Sequence, residues 1–180
     1  MTRGDKSLLI GAGLLTGLTL AAIGYYLSNR KKYPALNVVP HIDLEKYSGE
    51  WFEIAKLPAR FEKDCTKVKA QYSVNKNGVL EVHNTCRTKD NKLKHIKLKA
   101  EAADDSNARL NLHYLWPFKS DYQILAVGPE YEYAMVGTEN RKHLWFLSRT
   151  PELDLSVLGE LMSIAKNEGF NTENLIFTHQ

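Results

Sequence analysis

Residues 66–86 read TKVKAQYSVNKNGVLEVHNTC, and this stretch decides the fold. Val68, Ala70, Tyr72 and Val74 alternate with Lys67, Lys69, Gln71 and Ser73. A period of two puts the first set on one face of an extended chain and the second on the other, the pattern of a strand with one buried face. Asn77-Gly78 follows. Both residues tolerate positive φ, so the pair folds the chain back as a hairpin and residues 79–86 form the returning strand.

The same pattern extends in both directions. Ile96, Leu98 and Ala100 alternate with Lys97 and Lys99 across residues 94–102. Short stretches at 109–116, 122–127, 133–137 and 143–148 follow, and 49–57 (GEWFEIAKL) precedes. The strands number eight, joined by short loops. A helix comes only afterwards: Thr150 caps it, Pro151 suits its first turn, and Leu155, Leu158, Leu161, Met162 and Ala165 form one apolar stripe. Gly169 ends it, and 174–178 (NLIFT) gives a last short strand. This order predicts an all-β fold, an eight-stranded antiparallel up-and-down barrel with one C-terminal helix packed outside.

The N-terminus has a different composition. Residues 7–27, SLLIGAGLLTGLTLAAIGYYL, carry no charge and are long enough for a membrane-spanning helix. Tyr25 and Tyr26 close the stretch, and Arg30, Lys31 and Lys32 follow. Three readings compete: an uncleaved membrane anchor, a signal peptide cleaved near Ala22-Ile23-Gly24, and a buried soluble helix. Residues 28–43 read as a linker interrupted by Pro34 and Pro40. The expected organisation is an anchor or signal segment over 1–33 and a barrel domain over 34–180. The basic flank mildly favours a cytoplasmic barrel.

Composition narrows the function. Of the 180 residues, 43% are hydrophobic and 25% charged, which permits a packed core, and the net charge of +3 is too small to argue for nucleic acid. The six histidines show no paired metal spacing, and no cofactor signature is present. Lys89, Lys92, Lys94, Lys97 and Lys99 gather around the fourth strand. They read as a solvated face that resists edge aggregation, or else as a contact to anionic lipid head groups.

Three motifs then carry a resemblance. Tyr47-Ser48-Gly49-Glu50-Trp51-Phe52-Glu53-Ile54-Ala55 resembles the first lipocalin motif, with its Gly-x-Trp core. Ser120-Asp121-Tyr122 is similar to the second, with serine in place of threonine, and residues 144–151, LWFLSRTP, resemble the third through Arg149. The match runs from about residue 40 to 180 and most resembles the bacterial outer-membrane, apolipoprotein D-like and temperature-induced lipocalins. The apolar N-terminal stretch departs from the lipoprotein cysteine often found in bacterial members. The resemblance implies that Trp51 and Arg149 close the bottom of a cup, Arg149 stacking on the indole. Gly49, Trp51, Asp121, Tyr122 and Arg149 are thus expected to be structural.

The resemblance also implies binding of a fatty acid, lysophospholipid or similar hydrophobic molecule, with no catalytic residues. Inward strand faces nominate Tyr72, Leu98, Leu112, Tyr114, Trp116, Tyr133 and Met135 as cavity residues, each of which is otherwise plain core. Glu53 shares the face of Trp51, and a buried acid there needs a partner. Two alternatives are an enzyme acting on lipid through a free cysteine and an adaptor that binds nothing in its cup.

Cys65 and Cys86 are the only cysteines. They flank the 66–86 hairpin at its open end, and a disulfide between them is expected. Strict alternation puts Cys65 on the face of Lys67 and Cys86 on that of Val82, so the bond needs a bulge near Cys65; two unrelated thiols are the alternative. A disulfide favours a membrane-anchored barrel facing the periplasm or cell exterior, or a secreted one, against the indication of the basic flank.

Overall fold

The computed structural model describes residues 33–62, 64–115 and 118–180. The expected helix at 7–27, Trp116 and the side chain of Tyr114 lie outside the described residues. Among the described residues, no helix is long and apolar enough to cross a membrane.

Eight antiparallel strands close on themselves: β1 (Gly49–Lys56), β2 (Thr66–Val74), β3 (Leu80–Arg87), β4 (Leu93–Ala102), β5 (Arg109–Leu115), β6 (Phe118–Val127), β7 (Tyr133–Gly137) and β8 (Leu144–Ser148). Each pairs with the next, and β8 returns to β1, with Phe52 opposite Ser148 and Lys56 opposite Trp145. A ninth strand, β9 (Ile176–Phe177), pairs with the end of β1. It enters where β1 and β2 part company. Their pairing runs only from Gly49↔Tyr72 to Phe52↔Lys69, and beyond it Ala55 pairs with Phe177 while Lys67 N–H donates to the His179 carbonyl. The C-terminus thus fills the seam of the barrel wall.

Before β1, the short helix α1 (Leu44–Tyr47) is capped by Asp43, whose carboxylate accepts from the Glu45 and Lys46 amides at 3.0 and 3.2 Å. The helix α2 (Leu155–Asn167) lies against the outer wall. It starts later than Thr150-Pro151 suggests. Thr150 Oγ1 donates to the Glu152 carbonyl at 2.6 Å and so closes a turn of its own, and Asp154 caps the helix by accepting from Ser156 N–H at 2.7 Å. Leu155, expected in the apolar stripe, is 81% exposed because it sits at the first position, beyond the wall. Leu161 and Ala165 are buried against Leu125, Met135, Leu144 and Phe146. Residues 172–174 form a 3-10 turn, which shortens the last strand.

Alternation along the strands separates two cores. Trp51, Tyr72, Val82, Leu98, Leu112 and Val136 point into the barrel, whereas Ile54, Ala55, Met135 and Phe146 point out under α2. Gly137 permits part of that outer packing, since a Cβ there would lie 2.6 Å from the Phe170 ring. One end of the barrel carries α1 and Arg149; the other, where β1 ends and β2 begins, is open.

Candidate ligand cavity

The floor of the cup is built by two side chains, Trp51 and Arg149, over the backbone carbonyls of α1. Trp51 of β1 is fully buried and donates from Nε1 to the Tyr47 carbonyl of α1 at 2.8 Å. Arg149, just past β8, lies with its guanidinium carbon 3.8 Å from the Trp51 ring centroid. It also donates to the carbonyls of Lys46, Tyr47, Ser48, Glu50 and Tyr131 at 2.7–3.3 Å. Gly49 makes room for it: its φ is +103°, and a Cβ would sit 3.0 Å from Arg149 Nη1.

Above the floor the hydroxyl of Tyr122 meets those of Tyr47 and Tyr72 at 3.0 and 2.8 Å. Burial pushes the Tyr47 and Tyr122 phenols well above the ordinary tyrosine range, so both stay neutral hydrogen-bonding groups. Asp121, next in sequence, faces the other way and accepts from the Glu139 amide of the β7–β8 loop and from the side chain of Gln123 on its own strand.

Over these tyrosines lies a cavity of about 90 Å³. Its wall is mostly apolar and includes Val68, Tyr72, Val82, Leu98, Leu112 and Val136. Of the residues nominated from sequence, Tyr72, Leu98 and Leu112 lie on this wall. Tyr133 and Met135 do not. Both belong to the outer core beneath α2, and Ala134 and Val136 face inward instead. Tyr-Ala-Met-Val-Gly is apolar throughout, because β7 is covered on both faces, so alternation could not assign its sides.

A charged cluster lines the upper wall. Lys56 Nζ sits 2.9 Å from Glu53 and 2.8 Å from Glu62, and Glu53 and Lys56 are only 3% and 5% exposed. Thr178 Oγ1 donates to Glu53 at 2.6 Å and Trp145 Nε1 to Glu62 at 3.3 Å. Burial, then the charge of Glu62, raises the Glu53 pKa to about 7 against the pull of Lys56 and Thr178. Burial works against the Lys56 charge, but the two glutamates outweigh it and raise its pKa. The partner that Glu53 requires is therefore Lys56. Glu62 has no strand pattern to flag it, because it reaches the cavity from a 3-10 turn (Arg60–Glu62). Asn84, also on the wall, keeps Oδ1 out of solvent without a hydrogen-bond partner.

Cys65 and Cys86 form a disulfide at the mouth, with Cα atoms 5.5 Å apart. The bulge that alternation required is present. Thr66 stands opposite Arg87 but Lys69 opposite Thr85, and Lys67 takes φ +51°. The extra residue turns Cys65 onto the face of Cys86. Neither cysteine is free.

Comparison with known proteins agrees with this architecture. The model of the lipocalin-like domain family matches residues 42–180. The outer membrane lipoprotein Blc of Citrobacter freundii is 32% identical over 93% of this chain and 96% of its own. Temperature-induced lipocalin-1 of Arabidopsis thaliana is 31% identical over 81% and 83%. The solved structure of the cockroach allergen Per a 4 superposes with a TM-score of 0.65 at 16% identity, covering 83% of this chain and 96% of that one, a likeness of fold.

Proposed function

The chain belongs to the lipocalin family, whose barrels bind small hydrophobic ligands, and on that premise we propose that its cup holds one slender lipid, a fatty acid or lysophospholipid, beside a membrane. The observation that carries this reading is an apolar cavity closed below by Trp51 and Arg149 and open above. At about 90 Å³ the void is small beside the roughly 300–1,000 Å³ of common small-molecule sites. A single acyl chain is the apolar ligand that enters such a space with least rearrangement, its polar end left at the mouth. The unpartnered Asn84 Oδ1 offers that end an acceptor.

Binding rather than catalysis is the favoured activity. The thiol that a cysteine-based enzyme needs is consumed in the Cys65–Cys86 bond. The disulfide also supports a periplasmic or extracellular barrel, tethered by residues 7–27 or released after their cleavage. Lipid extraction and mass spectrometry of the purified full chain, followed by titration with a fluorescent fatty acid, tests the reading. A stoichiometric acyl lipid and saturable uptake are expected. A folded protein that carries no lipid and takes up no acyl probe would leave the adaptor alternative.

A further inference from the structure

The two ends of the barrel differ in chemistry. Among the described residues, the exposed large hydrophobics are Tyr33, Leu93, Ile96, Leu155, Ile176 and Phe177. Leu93 and Ile96 begin β4 at the open end, 62% and 41% exposed, and Ile96 also lines the cavity. Ile176 and Phe177, 49% and 54% exposed, lie beside Lys56 and Ala55 where β1 reaches that same end. At this end β9 lies between β1 and β2, and β3 and β4 follow β2 in the sheet, so these four residues occupy one arc of the rim. The Asp64–Lys89 ion pair, 2.6 Å, ties the two loops of this arc together.

Basic residues surround the arc. Arg87 pairs across from Leu93, Lys94 from Cys86 and Lys97 from His83, with Lys92 in the loop between. Three of the four loops at the closed end carry the opposite sign, with Asp104 and Asp105, Glu130 and Glu132, and Glu152 and Asp154 beyond β8; the fourth, the 75–79 turn, carries Lys76. The chain also joins the barrel near the open end. Asn37 bonds to Glu168 at 2.8 Å, and the Glu168 carbonyl accepts from Arg141 of the β7–β8 loop, which belongs to that end. In sequence, Arg30, Lys31, Lys32 and the apolar stretch 7–27 come shortly before.

We propose that the open rim is a membrane-docking surface for an anionic bilayer. Leu93, Ile96, Ile176 and Phe177 enter the boundary between head groups and acyl chains. Arg87, Lys92, Lys94 and Lys97 meet the lipid phosphates, and the cavity mouth opens on lipid. A strongly apolar group framed by cations is the composition that partitions to such an interface. The acidic closed end is repelled by the same surface, which orients the barrel. This deepens the lipid-binding reading but rests on separate features, the rim and its charge.

The test uses the full chain in vesicles of phosphatidylcholine with and without phosphatidylglycerol. Leu93→Cys carries a polarity-sensitive fluorophore, attached without reductant so that the native disulfide stays closed. Asn77→Cys, at the opposite end, is the control. Brominated lipid should quench the probe at 93 several-fold more in anionic vesicles than in neutral ones. The probe at 77 should be unaffected, and Lys92→Glu with Lys97→Glu, neither of which lines the cavity, should abolish the effect while circular dichroism stays unchanged. An unquenched probe at 93, equal quenching at both sites, or quenching indifferent to phosphatidylglycerol overturns the proposal; protection of the probe by a second copy of the chain instead would make the rim a self-association surface. Uptake of a fluorescent fatty acid from solution by the same double variant separates the two readings. Retained uptake with lost quenching isolates docking, and quenching without any uptake upholds docking while refuting the lipid-holding cup.

Discussion

The Arg149 guanidinium stands 3.8 Å from the centroid of the buried Trp51 ring while donating to five backbone carbonyls. The stack joins the residue just past the last barrel strand to the first strand, and it fastens α1 beneath them. Trp51→Ala should cost about 3–5 kcal/mol, as is typical for a buried tryptophan. Arg149→Ala should destabilise less, but a double-mutant cycle by urea unfolding should show a coupling of at least about 0.5 kcal/mol. Additive losses would contradict a shared cluster.

Inner and outer cores should separate affinity from stability. Leu98→Trp fills the cavity and should weaken acyl-probe binding at least ten-fold with the fold retained. Met135→Ala, beneath α2, should lower stability by about 2–5 kcal/mol and leave affinity unchanged. Fluorescence titration and thermal melts on both variants decide the matter, and a binding defect from Met135→Ala would reassign that face.

The Glu53 cluster should make stability depend on pH. Its folded pKa of about 7 lies above the ordinary 4.5, so ionising it is unfavourable in the folded state. Its contribution is fully present below about pH 4.5 and is lost as pH rises through 7. The span corresponds to about 3 kcal/mol at most. Glu53→Gln, which keeps an acceptor for Thr178, should flatten this part of the profile relative to the unmodified protein. Parallel stability curves for the two between pH 4.5 and 7 would refute the assignment.

The disulfide closes a separation of 21 residues, for which the chain-entropy model expects about 3 kcal/mol. Cys65→Ser with Cys86→Ser should lower the melting temperature by that amount of stability without displacing the strands. In native membranes, alkylation before and after reduction reads the compartment. Thiols that label only after reduction are expected; labelling without reductant would place the barrel in a reducing environment.

The strands were legible in sequence where one face is wet. The lysine-lined alternation of β2 and β4, and the Asn77-Gly78 turn, locate those strands to within a residue. The bulge at Lys67 was legible too, because the two cysteines could not otherwise share a face. The start of α2 was not. Thr150 and Asp154 are both capable caps, and the choice fell to the Thr150–Glu152 turn. Of the nominated inward residues, Tyr72, Leu98 and Leu112 lie on the cavity wall, where alternation with wet residues marks the strand faces, whereas Tyr133 and Met135 lie in the outer core, where the helix makes both strand faces apolar.

Local periodicity, turn chemistry and the three motifs depend on residues close in the chain, so the sequence by itself determined the barrel, its helix and its family. The floor contact of Trp51 with Arg149, the Lys56–Glu53–Glu62 cluster and the wedge of β9 between β1 and β2 join residues from separate elements. Only closure of the sheet brings those groups within hydrogen-bonding distance, and only closure decides which side of β7 faces a ligand. A strand's period of two distinguishes its faces but cannot say which one looks inward when both are dry.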